Sequence, residues 1–279
     1  MKVNILILPL CILLFFLLVN ISFKIHSIFS FITYYFNSKT KYKIHSPFVY
    51  NFITEILESN IQNFNSAKLI NFYKKHYKTI NYSKNEGAGS SILKKVNEPI
   101  DGFISKVGIP EKYGKILMLL AQEYNNKSIL ELGTSLGLST SYLLNSNNKI
   151  ISIEGNKDIY TITKNAFEQL NFNNAHLINS TFENELQTVL QNNNDLVLFF
   201  IDGNHTKKAT INYFNTILPF IKENSIVILD DIYWNKEMTE AWHEIRTNKT
   251  VKLSIDLYRI GILFFRKEQK EQEHFTLWY

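Results

Sequence analysis

Cysteine is all but missing from this chain: Cys11 is the only one in 279 residues. That excludes a disulfide within the chain and any zinc site built on cysteines. Arginine is nearly as scarce, with Arg246, Arg259 and Arg266 set against a large excess of lysine. Arginine forks are the usual readers of base edges and clamps for phosphate, so nucleic acid is not expected as a partner. Neither sign of charge dominates: 30 basic and 25 acidic side chains leave a net charge of +5. Solvated lysine faces, or attraction to an anionic membrane, account for that surplus. A hydrophobic share of 45% is ordinary for a folded protein. The length suits one α/β domain with an N-terminal extension.

One stretch lacks charge altogether, Val3 to Phe23. A bilayer core takes roughly 20 apolar residues as a helix. Pro9 is tolerable near one end, and Val19-Asn20-Ile21-Ser22 is a poor cleavage site. Lys2 precedes the run, while Lys24, Lys39, Lys41 and Lys43 follow it. The heavier positive side belongs in the cytoplasm. The expectation is a transmembrane anchor over residues 1–23, a membrane partner through that helix, and the folded body in the cytoplasm. A downstream translation start would make the protein simply cytoplasmic. Lys24 to Lys43 is aromatic and basic, with Phe29, Phe31, Tyr34, Tyr35 and Phe36. It suits a membrane interface or a helix packed on the body of the protein.

His45-Ser46-Pro47-Phe48 reads as a helix start, with Ser46 as N-cap and Pro47 at the first helical position. Helices are expected over Phe48 to Leu57, Ala67 to Tyr77 and Glu111 to Glu123, and over Ile92 to Ile104 up to Pro99. Asn81 to Ser91 is polar and contains glycine, as a lid or as a plain linker. From 128 onward strands and helices alternate, which implies a parallel sheet. Strands are expected near 128–132, 149–153, 175–178, 196–201 and 225–230. Lys249 to Asp256 and Gly261 to Arg266 are separated by too short a link for anything but an antiparallel hairpin. The charged tail, Lys267 to His274, reads as an exposed end.

The chain is organised around Ser128-Ile129-Leu130-Glu131-Leu132-Gly133-Thr134-Ser135-Leu136-Gly137-Leu138-Ser139-Thr140. It reads as a buried strand, a tight turn and a helix start. Gly133 and Gly137 let backbone approach a ligand. The second glycine falls four residues after the first, not two, with Ser135 at the position where a dinucleotide fingerprint needs glycine. An NAD-dependent oxidoreductase is disfavoured on that spacing. A helix start suits a carboxylate, and Glu131 can face a cation. Glu154, closing the next strand, is placed to hydrogen-bond a ribose diol. One carboxylate for a cationic amino acid and one for a ribose together describe S-adenosylmethionine.

Four segments carry a resemblance: Leu130-Glu131-Leu132-Gly133-Thr134-Ser135-Leu136-Gly137, Ile153-Glu154-Gly155, Phe200-Ile201-Asp202-Gly203-Asn204-His205 and Leu229-Asp230-Asp231-Ile232-Tyr233-Trp234. In that order and spacing, residues 111–266 resemble a class I S-adenosylmethionine-dependent methyltransferase of the O-methyltransferase branch, similar to catechol O-methyltransferase. The resemblance implies an α/β fold: a Rossmann-like, doubly wound, mostly parallel seven-stranded sheet ending in an antiparallel hairpin. It places a helical cap region at 24–110, a methyltransferase domain at 111–279, and a small-molecule hydroxylated acceptor as partner. The implied cofactor is S-adenosyl-L-methionine, held by Glu131, Gly133, Thr134, Ser135, Gly137, Ser139, Glu154, Asp202 and, at the adenine, Thr181 and Phe182.

Asp202, Asp230 and Asp231 are expected to converge at the carboxyl ends of their strands. An all-oxygen set suits Mg²⁺ or another divalent cation. The family pattern has two Asp and one Asn there, and Asp231 replaces the Asn. His205 stands where the pattern carries a lysine base, which makes it the candidate general base, with Asp202 beside it. Trp234 would wall the acceptor pocket or serve as core. A different class of function, a membrane-tethered binding or scaffold protein that kept the fold without catalysis, is disfavoured by Glu131, Glu154, Asp202 and His205.

Overall fold

The computed structural model describes residues 25–62, 64–84 and 94–279. The expected anchor over Val3 to Phe23 lies outside the described residues. Among the described residues no helix is long and apolar enough to cross a membrane. The membrane-anchored placement expected from the sequence is corrected on that finding.

The first helix, α1, covers residues 25–37. Next come α2 (Pro47–Asn51), which runs on as a π turn over Phe52–Leu57, and α3 (Phe64–His76). Pro47 sits at the first turn of α2, where a missing N–H costs nothing, but Ser46 makes no side-chain cap bond. A hairpin follows, β1 (Thr79–Lys84) antiparallel to β2 (Lys94–Pro99), then α4 (Ile100–Val107) and α5 (Glu111–Gln122). The cap region is therefore not purely helical. The helix expected up to Pro99 is a strand up to Pro99, with the helix beginning after it. Proline pushes the residue before it towards extended backbone, and pairing with β1 does the rest. The glycine-containing part of the 81–91 loop lies outside the described residues.

The main sheet then begins, as β3 (Ser128–Leu132), α6 (Leu138–Leu143), β4 (Lys149–Glu154), α7 (Lys157–Gln169), β5 (Ala175–Asn179) and α8 (Phe182–Asn192). It continues as β6 (Leu196–Ile201), α9 (Lys207–Ile217), β7 (Ile226–Leu229), α10 (Lys236–Arg246), β8 (Leu253–Asp256), β9 (Gly261–Phe264) and β10 (Glu273–Thr276). The order across the sheet is β10-β8-β9-β7-β6-β3-β4-β5. β9 lies antiparallel between β7 and β8, as expected of the hairpin. The sheet has eight strands, not seven. The extra one is β10, which runs parallel to β8 and begins in the last two residues of the tail expected to be an exposed end. Only Phe275 of its four residues is apolar, so its place comes from the unpaired edge of β8, which needs a partner. Ser254 meets His274 Nδ1 at 2.7 Å, and Leu277 is buried beyond the strand.

Strands β3 and β6 are buried along their whole length. Their residues alternate between two cores. Ile129, Leu198 and Phe200 face α2 and α5, while Leu130, Phe199 and Ile201 face α8, α9 and α10. A third cluster, around Leu69, Tyr73, Phe103 and Phe167, joins the N-terminal helices to the body. Burial on both faces holds the strands rigid, and rigid strands fix the loops at their carboxyl ends.

Candidate functional site

The chain goes from β3 outward through β4 to β5, then returns to lay β6 and β7 on the other side of β3. That reversal, between β3 and β6, is the switch point where open α/β sheets leave a crevice at the strand ends. Gly133 ends β3, Glu154 ends β4, Asp202 follows β6, and Asp230 and Asp231 follow β7.

Gly133 has φ +105°, and a Cβ there would lie 1.8 Å from the Asp202 carbonyl oxygen. Glycine is required because the ends of β3 and β6 touch. Four non-glycine residues with positive φ, namely Ser135, Asn204, Asp231 and Tyr258, sit in loops at this same edge. Strained backbone of this kind collects at functional sites.

Glu131 is fully buried and accepts from Ser139 Oγ at 2.6 Å, Thr140 Oγ1 at 2.5 Å and Ser152 Oγ at 2.6 Å. Burial pushes its carboxyl up to about 7, against the pull of those three donors. It pins β3, β4 and α6 together. Ser139 is spent on the same knot, and Thr134 Oγ1 meets Ser152 Oγ at 2.6 Å. The helix after the turn is only Leu138–Leu143, so it offers little dipole.

Glu154 does reach the turn: Oε2 accepts the Ser135 N–H at 2.8 Å, and Oε1 accepts the Asn156 N–H at 2.7 Å. Burial raises its pKa as well. Thr181 is the N-cap of α8. Phe182 lies against Gly203, where a Cβ would come within 2.6 Å of its ring, and meets Tyr213 edge-on at 5.4 Å. Phe182 therefore packs between the turn after β6 and α9.

The acids divide. Asp230 is fully buried and taken by Arg259: Nε to Oδ1 at 3.0 Å and Nη2 to Oδ2 at 2.9 Å. Both oxygens of Asp230 thus accept from Arg259. Asp202, His205 and Asp231 instead bring one ligand atom each within 4.8 Å of one another. His205 Nε2 lies 3.8 Å from Asp202 Oδ1, and its buried Nδ1 has no hydrogen-bond partner. Burial and the neighbouring Asp230 and Asp231 push Asp202 well above the carboxylate range. Burial lowers His205 and so favours neutral imidazole. Trp234 is half exposed, with its ring 6.4 Å from His205.

Sequence reasoning missed Arg259 and Tyr73. Tyr73 on α3 donates from its buried hydroxyl to the Leu136 carbonyl in the glycine turn, at 2.9 Å. Arg259 is one of three arginines and stands in the hairpin link, and that rarity was the available signal.

Residues 130–232 match the model of a methyltransferase domain. No curated protein matches the chain. Among solved structures it is similar to an SAH-bound methyltransferase from Podospora anserina, with TM-score 0.56 and 14% identity over 80% of this chain and 98% of that one. An SAH-bound O-methyltransferase from Bacillus cereus gives 0.51 and 17% over 77% and 96%. An O-methyltransferase from Streptomyces achromogenes, involved in tomaymycin synthesis and bound to SAM, gives 0.51 and 12% over 77% and 94%. At such identities the structures speak for the fold, and the family model covers residues 130–232. The methyltransferase resemblance read from the four motifs stands.

Proposed function

We propose, on the premise that residues 130–232 are a methyltransferase domain, that the chain transfers a methyl group from S-adenosylmethionine to a hydroxyl of a small acceptor. The observation that carries the reading is His205, half-buried and with a buried, unpartnered Nδ1, beside Asp202 and Asp231 at the switch point of the sheet. Three of the similar structures hold SAM or its product SAH, and two are O-methyltransferases.

In this reading the turn from Gly133 to Gly137 receives the methionine part and Glu154 the ribose, with Phe182 at the adenine. The acceptor hydroxyl lies beside His205. Its oxygen attacks the sulfonium methyl, the C–S bond breaks as the C–O bond forms, and the imidazole takes the hydroxyl proton. No covalent intermediate with the protein is needed. Two carboxylates and one imidazole also fit a divalent cation, Mn²⁺ better than Mg²⁺ by ligand type. Asp202, Asp231 and His205 would hold it in place of His205 acting as the base, since one neutral imidazole cannot both ligate and take the proton. Such an ion would lower the pKa of a bound hydroxyl and orient it.

Calorimetry with S-adenosylmethionine, followed by a screen of catechols, phenols and sugar hydroxyls, tests the reading. Submicromolar to micromolar binding that Glu154→Ala weakens by about 1–3 kcal/mol supports the cofactor site. Unchanged affinity in that variant removes it. Full turnover in chelator removes the cation.

A further inference from the structure

Ser135 is the strained point of the glycine turn. Its φ is +47°, a left-handed backbone that a residue other than glycine keeps only where its surroundings impose it. It is half-buried, between the buried Thr134 and Leu136. Both of its peptide groups are held. Its N–H donates to Glu154 Oε2 at 2.8 Å, and its carbonyl accepts from Thr163 Oγ1 on α7 at 2.6 Å. The next carbonyl, that of Leu136, accepts from the Tyr73 hydroxyl at 2.9 Å. The same hydroxyl lies 3.5 Å from Thr163 Oγ1.

The holders come from outside the turn. Tyr73 is fully buried on α3, in one apolar cluster with Leu136, Leu138 and Phe167. Gly137 closes the turn against α7, where a Cβ would lie 2.4 Å from the Phe167 ring. Glu154 is tied to the N-terminal region as well. Its Oε1 accepts the Asn156 N–H at 2.7 Å, and Asn156 Nδ2 donates to the Ser83 carbonyl on β1 at 2.6 Å. A buried tyrosine hydroxyl needs a partner, and a carbonyl of any packed helix would serve stability alone. Here the partner is the carbonyl next to the strained residue.

We propose that Tyr73 and Thr163 are positioning residues for the cofactor. They hold Ser135 and Leu136 in the conformation that receives it, so affinity for S-adenosylmethionine is set in part from α3, outside the methyltransferase domain. The proposal rests on the reading of this turn as the cofactor site and adds two residues that no motif marks. Without its holders Ser135 relaxes towards negative φ. The cofactor then has to reset the turn before it binds, and the lost pre-organisation appears as lost affinity.

The test uses the full chain and calorimetry with S-adenosylhomocysteine. Tyr73→Phe and Thr163→Val each remove one hydroxyl and keep the shape. Each should weaken binding roughly three- to tenfold, the scale of one hydrogen bond, read on the folded fraction that urea titration gives. Adding Ser135→Gly to Tyr73→Phe should recover at least half of that loss, because glycine keeps a positive φ without help. Tyr77→Phe is the control. It removes the bond from Asn165 Nδ2 to the Tyr77 hydroxyl at 3.3 Å, another tie to α7 away from the turn, and should leave affinity unchanged. Coupling is reciprocal, so S-adenosylhomocysteine should slow amide exchange across α3, and Tyr73→Phe should abolish that gain. Unchanged affinity in both hydroxyl variants overturns the proposal. So does an equal loss in Tyr77→Phe, which would assign the effect to the docking of α3, and so does a loss that Ser135→Gly leaves whole. If the hydroxyl variants bind as the unmodified chain does while Glu154→Ala binds weakly, the cofactor reading stands without the positioning. An unmodified chain that binds no S-adenosylhomocysteine removes both.

Discussion

Glu131 and Asp202 stand on neighbouring strands of one sheet, and their carboxylates meet opposite surroundings. Glu131 is enclosed by three hydroxyl donors and touches nothing outside the fold. Asp202 is half-buried beside a histidine with a bare nitrogen and two further acids that share one arginine, Arg259. Buried polar groups are normally satisfied. The satisfied knot therefore reads as architecture, and the unsatisfied cluster reads as the place where something binds. The same chemical group, a carboxylate near a strand end, serves two ends because of what surrounds it.

The sharpest way to break this contrast is at the backbone that joins the two regions. Gly133→Val puts a side chain into the Asp202 carbonyl at a positive φ. We expect a loss beyond about 5 kcal/mol, read as failure to give a cooperative denaturation curve. Arg259→Leu should come next. It leaves Asp230 buried and alone, at a cost of about 3–5 kcal/mol in urea titration. A loss under about 1 kcal/mol would mean that Asp230 is not held by this pair.

His205→Ala belongs to the other side of the comparison. It should cut kcat by roughly 10²–10⁴-fold once an acceptor is known. Stability should stay within about 1 kcal/mol, since no bond to Nδ1 is lost. A variant that unfolds while keeping its turnover per folded molecule would reverse the assignment.

Glu131 offers a pH test. Its folded pKa, about 7, stands above the ordinary 4.5, so the folded state holds the proton longer than the unfolded one. Its contribution to stability is full below pH 4.5 and is lost as pH rises towards 7. The span is about 3 kcal/mol. Glu131→Gln should remove that part of the pH dependence, seen by comparing urea midpoints at pH 5 and 7.5. Equal slopes in both proteins would show the carboxylate charged throughout.

The smallest effect is expected at Asn156. Its Oδ1 caps α7 through the Asp158 and Ile159 N–H groups, and its Nδ2 donates to the Ser83 carbonyl of the β1–β2 hairpin. Asn156→Ala should cost about 1 kcal/mol for the cap. Faster proton exchange of the Ser83 amide would show the hairpin loosening with it.

Much of the parallel sheet was legible in the chain. Apolar runs of four to six residues, each closed by an acid or glycine, gave β3, β4, β6 and β7 within a residue or two. Helix Glu111–Gln122 and the antiparallel hairpin were legible in the same way. β2 was not, because Lys-Lys-Val-Asn-Glu-Pro has too little apolar pattern and depends on pairing with β1. β10 was hidden for the same reason, since its partner edge is known only when the sheet is assembled.

The sequence alone determined which residues stand at the strand ends, because a strand's limits follow from local periodicity and from the glycines and acids that end it. Thus Gly133, Glu154, Asp202, His205, Asp230 and Asp231 were identified by position. What each one does was decided by tertiary structure. Arg259 lies 29 residues from Asp230 and donates to both of its oxygens. Ser152 lies 21 residues from Glu131 and helps to close it off. Tyr73 reaches the glycine turn from 63 residues away. Pairings across such separations leave no periodic trace in a chain, because they are fixed by the packing of whole elements, and they are what separate a buried, satisfied acid from one left open to chemistry.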